Sequence, residues 1–114
     1  MSPTPDETLQ RAGAGLERAF RPDAARGVDT VIQYALTGEG GLEFYATIHR
    51  QTLRLDPGRA PKAKVSMTMA ADEFFDMLEG RLSSTEAFMS GKLKLGGSFM
   101  FATKLARLFR FVAP

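Results

Sequence analysis

A chain of 114 residues, 44% apolar and 25% charged, has the length and composition of one globular domain, and residues 1–114 read as that single domain. It has no cysteine and one histidine, His49, which excludes a disulfide scaffold, a thiol nucleophile, cysteine-based zinc or iron–sulfur sites and any multi-histidine metal centre. The net charge of +2 is too weak to argue for nucleic acid, but it is unevenly placed: residues 1–80 carry net −3, and 81–114 carry net +5 through Arg81, Lys92, Lys94, Lys104, Arg107 and Arg110 against Glu86.

Leu9, Ala12, Leu16 and Phe20 recur at steps of three and four and predict a first helix over 7–20. Pro5 suits its first turn, Asp6 and Glu7 suit the positive end of its dipole, and Arg21-Pro22 ends it. Period two then takes over. Ile32, Tyr34 and Leu36 share one face of a strand over 30–37, and the glycines of 38–41 make a hairpin turn. In a strand over 42–49, Leu42, Phe44, Ala46 and Ile48 point in while Glu43, Tyr45, Thr47 and His49 point out. Leu53 and Leu55 mark a third strand, closed by the turn Asp56-Pro57-Gly58. Residues 62–69 read as a fourth, with Val65, Met67 and Met69 alternating.

Helical period returns at Asp72, the expected cap of a short helix through Glu79 whose Phe74, Phe75 and Leu78 share a face. A second short helix spans 84–89, Leu93 and Leu95 form a fifth strand, and a last helix runs over 99–112. Phe101, Ala102, Leu105, Leu108, Phe109 and Val112 give that helix an apolar face wider than packing on one sheet requires. The order predicts an α+β fold: a five-stranded, mostly antiparallel mixed sheet, its first four strands meandering, covered on one face by helices.

No apolar run of about 18 residues exists, and no apolar segment follows the polar N-terminus, so the expectation is a soluble cytoplasmic protein without a secretory signal. The constellations of catalysis are missing. Gly91-Lys92 is no phosphate loop, the glycines of 38–41 join two strands and lead into no helix, and no G-x-S-x-G elbow occurs. Asp72, Glu73, Asp76 and Glu79 form the solvated side of a helix, and His49 lies on an outward strand face. The expectation is therefore no catalytic residue, no metal, no cofactor and no enzymatic activity. The positive signal is apolar: nine phenylalanines and five internal methionines, residues that fill a core or repack around varied apolar ligands.

Residues 65–109 resemble the sterol carrier protein 2 (SCP-2) sterol-transfer family, in the form of a bacterial stand-alone domain. The resemblance is carried by Val65-Ser-Met-Thr-Met69, by Asp72-x-x-Phe75-x-x-Leu78-x-Gly80, and by Ala87-Phe88-Met89-x-Gly91-Lys92-Leu93-Lys94-Leu95-x-Gly97. Lys104-Leu105 and Leu108-Phe109 follow, and 31–41 looks like the family's first hairpin. Gly96 departs from the pattern, which commonly has a polar residue there. The resemblance implies an apolar tunnel between sheet and helices, binding a fatty acid, acyl-CoA or sterol- or isoprenoid-like lipid without chemistry. The glycines and Phe88 are then fold determinants, Phe88 anchoring its helix in the core.

The ligand contacts expected on this reading are Phe74, Phe75, Leu78, Met89, Met100, Phe101, Leu105 and Phe109, with Met67 and Met69 on the floor. Gln33, which interrupts an apolar strand, is a weaker candidate for a polar head group. The partners expected are a lipid or other apolar small molecule and, through the basic C-terminal third, a transient anionic membrane surface, with no nucleic acid and with the chain a monomer or weak homodimer. Three rival readings stand beside carriage. They are a lipid-presenting accessory or assembly module for a partner enzyme, a small enzyme using an Asp or Glu beside the pocket, and a structural domain with a filled core.

Overall fold

The computed structural model describes residues 3–110, apart from the side chains of Phe99, Ala102 and Ala106. Its elements in chain order are α1 (Pro5–Ala19), a 3₁₀ turn (Pro22–Ala25), β1 (Thr30–Thr37), β2 (Glu43–His49), β3 (Thr52–Pro57), β4 (Val65–Ala70), α2 (Ala71–Leu78), α3 (Ser84–Met89), β5 (Lys94–Gly97) and α4 (Phe99–Leu108).

The start of α1 is built by local chemistry. The Thr4 hydroxyl accepts from the Glu7 amide, the Glu7 carboxylate accepts from the Thr4 amide, and Pro5 occupies the first turn, where its missing N–H costs nothing. This reciprocal box holds the Glu7 carboxyl below the usual carboxylate range. The cap of α2 differs from expectation. Ala70, the last residue of β4, takes the cap position, and Asp72 sits inside the first turn accepting from the Glu73 amide at 2.9 Å. Strand thus passes into helix with no intervening loop.

The sheet order is β3-β2-β1-β4-β5. The first three strands meander antiparallel as expected, but β4 does not continue them. It crosses to the far side of β1 and pairs with it in parallel, Ile32 opposite Val65 and Tyr34 opposite Met67. The five-stranded sheet is therefore mixed, with β5 antiparallel on the β4 edge. One face is apolar. Ile32, Tyr34, Leu36, Phe44, Ala46, Ile48, Val65 and Met69 are buried there under the helices, while the alternate residues are half-buried or exposed.

Gln33 lies on the opposite, uncovered face, where it fastens the crossover. Its amide nitrogen donates to the carbonyls of Phe44 and Gly58, both at 3.0 Å, and its oxygen accepts from the Ala60 amide at 2.8 Å. The head-group candidate is thus turned away from the helix layer, and its polarity is consumed by the connection between β3 and β4.

The last helix is shorter than its apolar period. Val112 and the side chain of Ala102 lie outside the described residues. At Phe109 the chain is extended and bridges Phe20 in antiparallel fashion, with Arg21 N–H donating to Leu108 O and Arg110 N–H to Ala19 O. The Phe20 and Phe109 rings meet at 5.7 Å between centroids. The C-terminal end of α4 is thereby tied to the C-terminal end of α1.

Gly96 and Gly97 end β5, and at Gly97 no side chain fits. A Cβ on Gly96 would fall 2.5 Å from Ser66 Oγ, a contact that rotation of the Ser66 hydroxyl relieves. Gly97 has φ +88°, and a Cβ there would fall 2.3 Å from the Lys64 carbonyl oxygen. Gly97→Ala is expected to destabilise the domain by about 2 kcal/mol or more, read from the denaturant midpoint. Gln33→Ala is expected to cost about 1–2 kcal/mol in the same measurement while leaving lipid uptake unchanged.

Candidate functional site

The register of the sheet assembles one wall of a cavity. Across β2, β1, β4 and β5, Phe44, Tyr34, Met67 and Leu95 stand in one row on the covered face. The Tyr34 and Phe44 rings stack at 4.8 Å, and Phe74 of α2 meets them edge-on at 5.8 and 6.2 Å. Leu16 of α1 and Met77 of α2 close the adjoining side. The outer wall comes from α3 and the segment after it, through Ser84, Thr85, Phe88, Met89 and Leu93, and from Thr103 and Leu105 of α4 with Phe109 beyond it. The cavity is half open to the outside and its volume is about 260 Å³. This is just below the ~300 Å³ at which ordinary small-molecule sites begin.

Of the ten residues expected to contact a ligand, the structure brings five to this wall: Met67, Phe74, Met89, Leu105 and Phe109. The other five lie off it. Phe75 turns toward α1, with the Arg11 guanidinium 4.0 Å from its ring centroid. Leu78 packs on Gly15 of α1, where an added Cβ would come 2.8 Å from its Cδ1. Met69 is buried in the core beside Leu36. Met100 is 76% exposed, and Phe101 is half-buried with Lys64 Nζ 6.0 Å from its ring.

Phe88 overturns its assignment as a core anchor. It is 43% exposed and lines the cavity, while Ala87 supplies the fully buried contact of α3. Ser83 fixes that helix by accepting from the Glu86 amide at 3.0 Å. Tyr34 and Leu95 were missed as wall residues because only the strand register shows that they flank Met67. Leu16 and Met77 were legible as apolar helix positions, but nothing in their spacing separates a cavity wall from packed core.

Among the described residues the wall holds no acidic, basic or imidazole side chain. Its polar groups are the hydroxyls of Tyr34, Ser84, Thr85 and Thr103. Burial pushes the Tyr34 phenol well above its ordinary pKa, so it is un-ionised. Charge begins outside. Lys92, Lys94 and Lys104 are exposed and adjoin the wall residues Leu93, Leu95, Thr103 and Leu105 along the chain. Phe88 and Met89, the latter 79% exposed, add apolar surface at the rim.

The carboxylates of α2 serve the scaffold. Asp76 pairs with Arg81 at 2.8 Å, and Glu79 pairs with Arg81 and, at 3.3 Å, with Arg11 of α1. Those partners hold the Glu79 carboxyl below the usual range. His49 is exposed and pairs with Asp29. Among the described residues no group of acidic, histidine or cysteine side chains is arranged to hold a metal ion, and no helix is long and apolar enough to cross a membrane. A second depression of about 450 Å³ runs past Arg11, Glu39 and Asp72 to Phe75 and is charged where the first is apolar.

Comparison with known proteins bears on this geometry. The model of the SCP-2 sterol transfer family matches residues 9–110. Hydroxysteroid dehydrogenase-like protein 2 of Mus musculus is 37% identical over 87 residues, which cover 75% of this chain and only 18% of that protein. The solution structure of the sterol carrier protein domain 2 of Helicoverpa armigera superposes with a TM-score of 0.71 at 21% identity, covering 95% of this chain and 91% of that one. Palmitated SCP2L2 from Aedes aegypti superposes with a TM-score of 0.66 at 22% identity, over 100% and 99% of the two chains. The match over nearly all the described residues, with the mixed sheet and its helical cover, makes this chain a member of the SCP-2 sterol transfer family.

Proposed function

We propose that this domain takes one lipid chain into the cavity between α3, α4 and the sheet and carries it without chemical change. A domain of a sterol transfer family is a lipid-binding and transfer unit. The observation that carries the finer reading is an apolar hollow of about 260 Å³ whose described walls hold no charged side chain. Met67, Phe74, Met89, Leu105 and Phe109 are the proposed contacts. Each methylene moved from water into such a space contributes ~0.8 kcal/mol. A sixteen-carbon chain thus gains on the order of 10 kcal/mol before ordering costs, enough for micromolar binding. The volume favours a single slender chain over a fused-ring body unless the wall yields. The palmitated state of the Aedes aegypti relative supports the same choice.

Loading requires the outer wall to move. The C-terminal end of α4 is held to α1 by two backbone hydrogen bonds, so the helix pivots at that end and opens at its N-terminal end, beside the exposed Met100. The apolar rim and the lysines around it suit an anionic bilayer, each well-placed cation contributing about 1 kcal/mol. A second reading, presentation of the lipid to an enzyme, is favoured by the small share of the mouse relative that this chain covers. A stable complex with an enzyme, recovered with lipid still bound, would select it.

Native mass spectrometry of the purified protein should show an adduct that organic extraction releases as a lipid. A protein free of lipid that also fails to take up a fluorescent fatty acid refutes carriage. Leu105→Asp should lower uptake at least tenfold by placing a carboxylate in the wall, while Met100→Ala, outside it, should leave uptake near wild type. Replacing Lys92, Lys94 and Lys104 together by Gln should weaken binding to anionic vesicles by about fivefold per lysine at low salt, with no change on neutral vesicles.

A further inference from the structure

We propose that the Tyr34 hydroxyl is a hydrogen-bond donor site inside the cavity, and that the domain selects lipids bearing an uncharged oxygen acceptor, such as a ketone, aldehyde, ester or alcohol, in the buried part of the molecule. The inference rests on the carriage reading and adds the chemical class of the cargo.

Tyr34 is 2% exposed and lines the cavity. Its backbone is taken up by the strand pairing and by the Gln33 side-chain amide, while among the described residues its phenolic oxygen has no partner. The side-chain oxygens that lack a partner and are sealed from all open space are those of Thr8 and Thr30. The Tyr34 hydroxyl is not among them, and the open space that this buried side chain borders is the cavity. A buried tyrosine hydroxyl ordinarily finds a partner, because leaving it unmet costs free energy. Here that partner has to come from whatever occupies the hollow.

The other wall hydroxyls do not compete for this role. Thr103 Oγ1 donates to the Met100 carbonyl at 2.7 Å, and Ser84 and Thr85 are exposed, where water satisfies them. Stacking on Phe44 and the edge contact with Phe74 fix the Tyr34 ring, so the donor is held in place before a ligand arrives. The phenol stays protonated because burial disfavours its anion. A carboxylate drawn to the same depth would meet no cation on the described wall and would lose its hydration uncompensated. A neutral acceptor accepts the bond without that loss.

The test uses hexadecan-2-one labelled with carbon-13 at its carbonyl, hexadecane as the chain-matched control, and a fluorescent fatty acid, all delivered from phosphatidylcholine vesicles. The carbonyl stretch of the bound ketone, read by isotope-edited infrared spectroscopy, should lie below its position in hexane and return toward it in Tyr34→Phe. That variant should weaken ketone binding about five- to tenfold relative to hexadecane. Phenylalanine keeps the ring stack, and the wild-type spectrum decides alone should the variant not fold. An unshifted stretch in the wild type, the same shift in both proteins, or exclusion of the ketone while hexadecane or the fatty acid binds overturns the Tyr34 site and leaves carriage standing. Failure of all three probes to bind overturns carriage and the site with it.

Discussion

The parallel pairing of β1 with β4 is the constraint on which the rest of the structure depends. It places Met67 beside Tyr34, and through β4 it brings Leu95 into the same row. Parallel neighbours cannot be joined by a tight turn, so the chain must leave β3 at one edge and return on the far side of β1. Strands lie about 4.8 Å apart, so the crossing covers roughly 14 Å, within reach of the seven residues from Gly58 to Lys64. The Gln33 amide holds that crossing against the uncovered face, and the Lys64 amide donates to the Val31 carbonyl as β4 begins. With the crossover on the open face, the covered face is left to the helices and to the space beneath them.

That space survives because the two sides of the layer are built differently. On the α1–α2 side, Leu16, Phe74 and Met77 are buried, and the ion pair of Arg11 with Glu79 joins α1 to the end of α2. The aromatic group of Tyr34, Phe44 and Phe74 is rigid, each ring fixed by the other two. On the opposite side α3 has six residues and buries little besides Ala87, and α4 is tied down by its C-terminal end. Phe88 and Met89 of that thin wall line the cavity and are at the same time exposed at its rim. With a packed aromatic wall opposite a short, methionine-bearing one, the proposed loading would displace the short side. Methionine, unbranched and polarisable, is the residue type that tolerates such change at least cost.

How far the sequence shows this differs from link to link. Strand spans are legible because alternation is local: β1 lies over 30–37 as its pattern predicts, and α3 spans the expected 84–89. The partner of a strand is not local. The meander expectation failed at β4 because nothing within 62–69 records which edge it joins, and with that pairing went Tyr34 and Leu95 as wall residues. Helical period has its own blind spot. Phe74 and Phe75 share an apolar face, yet one step around the helix sends Phe74 toward Tyr34 and Phe75 under Arg11. The period through Phe109 also conceals the point at which backbone bonding to Ala19 and Arg21 replaces the helix.

The distribution of charge fits the proposed carriage. Lysines surround the cavity along the chain, and none enters its described wall. A charged group inside would bind one head group strongly and would also hold it, because a buried ion pair that must be broken for release costs several kcal/mol. Apolar contacts have no such directional barrier, and their free energy is recovered when the chain passes into a bilayer of equal apolarity. On the proposed carriage, a neutral wall with charge confined to the rim would let exchange run in either direction.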